Sequence, residues 1–169
     1  QSGKTTLAKQ LFSHLPYISL EDLDVRREVE NDPRKFLNEY SNGVIIDETH
    51  NVPDLFSYLQ RVADESIEKG KYVLINSQNV ILNPKITQSL AGRVGIGTLL
   101  PLSLSELGEE SKDYNEIIFK GGYPKLHKDN IAPEVFYPVH NVDYIERDVC
   151  SLINSKNIRL FHTFMKMCA

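Results

Sequence analysis

The stretch GVIIDET, residues 43–49, constrains the fold more than any other part of the chain. Val44, Ile45 and Ile46 form an unbroken apolar run, so the strand they make cannot have one wet face. Runs of this kind belong to parallel sheets covered on both sides by helices. The run then stops abruptly at Asp47 and Glu48. KYVLINSQN (71–79) repeats the design, an apolar strand ending in the polar Asn76 and Ser77. YISL (17–20) is a shorter apolar strand, and VGIGTLL (94–100) reads as a further one.

Helical patterns fill the intervals. TTLAKQLFSHL (5–15) puts Leu7, Leu11 and Leu15 on one face with Ala8 and Phe12, and Pro16 ends it. Residues 20–40 are charged with sparse apolar positions, which suggests one or two surface helices broken before Pro33. Pro53 starts a helix expected to run to about Lys69, with Leu55, Leu59, Val62 and Ala63 inward. Another is expected over residues 84–91. Strands alternating with helices imply parallel crossover units and an α/β layered domain. From residue 108 the pattern changes: a solvated stretch, a GGYP turn (121–124), and the long helical pattern EVFYPVHNVDYIERDVCSLI. The expected division is a core over 1–107 and a helical subdomain with the start of a further region over 108–169.

The chain opens on QSGKTT, the back half of the phosphate-binding pattern G-x-x-x-x-G-K-[ST]. If a helix starts here, the backbone N–H groups of Gly3, Lys4, Thr5 and Thr6 converge on its N-terminus, where the dipole favours anions. Gly3 lets a phosphate approach without a Cβ. Lys4 then stands near the β- and γ-phosphates, and Thr5 offers a hydroxyl to Mg²⁺. The plain alternative is an ordinary helix start capped by Ser2, with Lys4 solvated. Asp47, at the end of a buried strand where parallel sheets place ligands, can hold the metal, and Glu48 can polarise water. The alternative is a solvated loop. At the next strand tip, Asn76 or Ser77 can reach the γ-phosphate, or simply form a turn. Arg93, between a helix and a strand, is either an arginine finger toward a neighbouring subunit's nucleotide or a surface ion pair. A small-molecule kinase shares SGKTT but lacks the acid pair followed by a polar strand tip.

In this order, SGKTTLAKQL, YISLEDLDVR, DPRKFL, VIIDETHNVPDLFSYL, LINSQN, SLAGRVGIGTLLPLSLSEL, GGYP and YIERDV resemble the bacterial and archaeal AAA-type ATPases that carry a poorly characterised C-terminal domain. The resemblance spans nearly the whole chain. It implies a P-loop NTPase fold, a three-layer parallel sheet of order 5-1-4-3-2, and ATP binding and hydrolysis with Mg²⁺. It places the Walker A motif at Gly3, Lys4 and Thr5, Walker B at Asp47 and Glu48, and the first sensor at Ser77. It also implies a helix-turn-helix-like segment and a nuclease-like domain further on, through which DNA is a candidate partner. Oligomer contact would run through Arg93, and Arg147 in YIERDV is a candidate second sensor or a helix-surface ion pair. The family usually has Gly where Asn76 stands.

The chain begins inside a motif and ends on an uncapped apolar pattern, so it reads as an internal piece of a longer protein. On that reading the first strand lies upstream, and the piece alone is expected to be impaired as an ATPase. Its hydrophobic content of 41% supports a core. Net charge is −4, which excludes a global basic footprint for nucleic acid. Cys150 and Cys168 lack metal-type spacing and read as reduced cysteines of a cytoplasmic protein. No apolar run is long enough for a membrane helix.

Overall fold

The apolar run becomes the central strand of a parallel three-stranded sheet: Tyr17–Ser19 (β1), Val44–Asp47 (β2) and Tyr72–Ile75 (β3), in the order β1-β2-β3. The computed structural model describes residues 2–66, 69–77, 92–108, 113–144 and 158–168. These fall into two units, Gln1–Leu99 and Leu100–Ala169. In the sheet, Ile45 lies opposite Tyr17 and Val73, and Asp47 lies opposite Ser19 and Ile75.

Period-two alternation assigns the strand's side chains to two different layers. Val44 and Ile46 pack into a cluster with Leu20, Val29, Phe36, Leu37, Leu55 and Leu59. Those residues belong to the loop after β1 and to three helices, Leu23–Asn31 (α2), Pro33–Glu39 (α3) and Leu55–Glu65 (α4). Ile45 faces the opposite way, into a smaller cluster with Ala8 and Ile75, bordered by Phe12, Leu15, Tyr17 and Val73. Ala8 comes from Lys4–Leu11 (α1). Full burial of each such branched side chain contributes roughly 1.5–3 kcal/mol, and all three are at most 1% exposed. Because Asp47 follows Ile45 by two, it belongs to the α1 face.

Local chemistry sets the boundaries. Asp32 ends α2 and begins α3, its carboxylate accepting the Lys35 N–H at 2.9 Å, with Pro33 as the first helical residue. This is the break expected before Pro33. Gly43 enters β2 at φ +108°, and a Cβ there would run into the Lys71 carbonyl. Only glycine meets both demands.

Three expectations change. On α1 the inward residue is Ala8, while Leu7 is 40% and Leu11 64% exposed. The helix ends at Leu11, so Phe12 and Leu15 reach the sheet from the turns that follow. On α4 the helix stops at Glu65, and Phe56 is buried whereas Ala63 is exposed. Residues 94–100 form no strand, and Ile96 is 65% exposed. The sheet of the described residues holds β1, β2 and β3 alone. A segment without a ladder partner leaves its backbone groups to water. The expected 84–91 helix and Arg147 lie outside the described residues.

In the second unit the described helices are Leu104–Leu107 (α5), Tyr114–Lys120 (α6), Pro124–Lys128 (α7), Pro133–Tyr144 (α8) and Ile158–Cys168 (α9). Ser103 and Glu106 form a reciprocal capping box at α5. The GGYP turn is a packing device. Gly122 accepts the Leu102 N–H at 2.7 Å, and a Cβ on Gly122 would meet the Leu102 carbonyl. A Cβ on Gly121 would meet the Tyr137 hydroxyl, which donates to the Lys120 carbonyl at 2.9 Å. Tyr123 packs between Phe136, Tyr137 and His140. No helix among the described residues is long and apolar enough to cross a membrane.

Candidate functional site

α1 begins at Gly3 in the left-handed conformation, φ 88° and ψ 15°, with no side-chain cap on its first turn. Ser2 is therefore not the helix cap. Its Oγ instead accepts from Lys4 Nζ at 3.4 Å. An uncapped first turn leaves backbone N–H donors for a ligand, and the helix dipole makes an anion the favoured one.

Thr5, on that first turn, reaches across to β2. Its hydroxyl donates to Asp47 Oδ2 at 2.8 Å. The contact follows from alternation, because Asp47 shares the α1 face with Ile45. Tyr17, which lies opposite Ile45 and packs on the same face, donates its hydroxyl to the same oxygen at 2.9 Å. The other oxygen, Oδ1, accepts the Glu48 N–H at 3.0 Å. Asp47 is only 6% exposed, so these donors substitute for water around a buried acid. Burial, reinforced by the hydrogen bond to Asp47 and its charge, pushes the Tyr17 hydroxyl up to about 12. Tyr17 therefore stays a donor at neutral pH. Lys9 Nζ stands 3.4 Å over its ring.

Glu48 turns the other way. Its backbone is left-handed, φ 54° and ψ 45°, a conformation uncommon outside glycine. The side chain runs toward the tip of β3, where Oε2 accepts the Ser77 N–H at 3.1 Å and the Ser77 hydroxyl at 3.0 Å. His50 Nδ1 lies 3.0 Å from the same oxygen. His50 belongs to a 3-10 turn, Thr49–Asn51, that Asn76 fastens to β3. The Asn76 carboxamide oxygen accepts the Thr49 hydroxyl at 2.8 Å and the His50 N–H at 2.9 Å.

The structure thus brings Thr5 to Asp47 and Glu48 to Ser77, with Gly3, Lys4 and Thr6 at the same helix start as Thr5. Arg93 is placed elsewhere: its guanidinium forks onto the carboxylate of Asp64 in α4, with Nη2 3.1 Å from Oδ2. Sequence reasoning missed Tyr17 and the fastening by Asn76. The parity of Tyr17 and Asp47 on facing strands was the available signal for the first. The unusual Asn76 was the signal for the second. Among the described residues no three of His, Cys, Asp or Glu gather into a metal cage.

A family model described as an AAA domain matches residues 1–108. Uncharacterized proteins of Mycobacterium bovis and of Mycobacterium tuberculosis are each 27% identical to this chain over 157 residues. Each match covers 90% of this chain and 35% of the relative, so the chain spans a minor share of those proteins' length. No solved structure matches.

Proposed function

The chain belongs to the AAA domain family, and on that footing we propose that the protein carrying it binds ATP with Mg²⁺ and hydrolyses it. Its α/β fold is of the P-loop NTPase kind. The hydrogen bond between Thr5 and Asp47, 42 residues apart, is the observation that carries the reading. A hydroxyl and a buried carboxylate side by side are hard oxygen donors. They suit Mg²⁺, which takes one or two protein ligands and leaves its other positions to water and phosphate. When bound, that ion neutralises charge on the β- and γ-phosphates.

The remaining roles fall to the chain. Lys4 and the backbone N–H groups from Gly3 to Thr6, flanked by Ser2, hold the phosphates. Glu48 takes a proton from the water that attacks the γ-phosphorus while the bond to the ADP oxygen breaks, giving ADP and phosphate. Ser77 reads the γ-phosphate. Arg93 acts as a finger in an oligomer only by exchanging Asp64 for a neighbour's nucleotide. A second reading, a slow nucleotide-regulated switch, is favoured by the two Ser77 donors that occupy the Glu48 carboxylate.

Phosphate release and equilibrium ATP binding by the full-length protein test the assignment. Lys4→Ala should abolish binding. Glu48→Gln should bind ATP normally and lose turnover by about 10²–10⁴-fold. Full turnover in Glu48→Gln removes Glu48 as the base. Wild-type turnover no faster than Glu48→Gln favours the switch.

A further inference from the structure

We propose that His50 is a positioning residue for Glu48, held in place by Asn76; this rests on the reading of Glu48 as the base. Every contact of the Glu48 carboxylate among the described residues falls on Oε2. Oε1 is therefore the oxygen with lone pairs left to take a proton, and Oε2 is the handle by which the group is aimed. Two of the three contacts on that handle come from Ser77. The third, at 3.0 Å, is His50 Nδ1.

His50 Nδ1 is closed off from solvent and makes no well-aligned hydrogen bond among the described residues. A buried ring nitrogen without an aligned partner, at contact distance from a carboxylate, is a donor in waiting. The turn that carries it is not loose. Asn76 accepts the backbone N–H of His50 and the hydroxyl of Thr49, and Thr49 is fully buried. The imidazole is thus fixed beside Oε2 by the residue that follows β3, independently of Glu48 itself. When the Ser77 hydroxyl turns to a γ-phosphate, Oε2 loses one donor. A small rotation aligns His50 Nδ1–H with Oε2 and keeps Oε1 facing the water. Without His50 the carboxylate, on a strained left-handed backbone, has no side chain among the described residues to hold it once Ser77 leaves.

The test compares wild type, His50→Ala, His50→Asn, Glu48→Gln and the double variant His50→Ala/Glu48→Gln, all in the full-length protein. Turnover and equilibrium ATP affinity are measured for each. His50→Ala should lower kcat by about 10–100-fold, the usual cost of losing a group that orients a reacting one, and leave ATP affinity unchanged. His50→Asn, whose amide N–H can stand where Nδ1 stands, should recover most of kcat. The double variant should turn over no more slowly than Glu48→Gln alone, because His50 acts only through Glu48. Wild-type kcat in His50→Ala, or a further loss in the double variant, overturns the proposal. Should His50→Ala fail to bind ATP, His50→Asn decides: high kcat supports the role, and kcat as low as in Glu48→Gln overturns it. Full turnover in Glu48→Gln overturns the underlying reading and this inference with it.

Discussion

The two faces of the central sheet are built from the same strands and do different work. Beneath α2, α3 and α4, Val44 and Ile46 meet a broad apolar cluster that extends along the strands. Beneath α1, the apolar part is short, Ile45 with Ala8 and Ile75, and one step further along β2 it gives way to Asp47, Thr5 and Tyr17. The first face is large and carries the stability. The second is small because part of it is given over to a buried acid and its donors, which cost stability unless satisfied. A strand only four residues long serves both ends by alternation.

That division can be broken on either side. The largest effect is expected from Phe36→Ala in the α2–α4 face, since Phe36 belongs to that cluster and is 6% exposed. Removing the ring should lower unfolding free energy by about 3–5 kcal/mol, read as a fall in urea midpoint. ATP affinity measured where the variant is folded should not change. Next is Gly43→Ala, which must take φ +108° and push against the Lys71 carbonyl. A cost of about 1–3 kcal/mol is expected from such backbone strain, again seen in the urea midpoint, and an unchanged midpoint would contradict the tight β2 entry. The smallest is Tyr17→Phe, which removes one of two side-chain donors to Asp47 Oδ2 and should cost about 0.5–1.5 kcal/mol. It sharpens the comparison: the Mg²⁺ concentration needed for ATP binding should shift in Tyr17→Phe and stay put in Phe36→Ala.

The sheet was legible because GVIIDET and KYVLINSQN carry period and termination in the same few residues. The pairing of Thr5 with Asp47 was legible too, since each stood at the end of a recognisable element. Three features were not. The inward face of α1 was misread because leucines outnumber the single Ala8, and a small residue packs closest where helix and strand approach. The strand at 94–100 was misread because an apolar run specifies a strand only when a neighbour supplies its ladder. The bond between Asn76 and the Thr49–Asn51 turn joins side chain and turn across strands, which no local period encodes. By contrast GGYP was recognised as a turn from its residues, and its reason lies in the close approach of Leu102.

The central claim is that Thr5 and Asp47 together make the magnesium side of a nucleotide site. Equilibrium binding of ATP to the full-length protein, with and without Mg²⁺, tests it in wild type and Asp47→Asn. The asparagine keeps an oxygen for the Thr5 and Tyr17 hydroxyls but removes the charge. Mg²⁺ should tighten ATP binding to wild type and have little effect on Asp47→Asn, with the fold intact in both. An equal gain from Mg²⁺ in the two proteins would contradict the account.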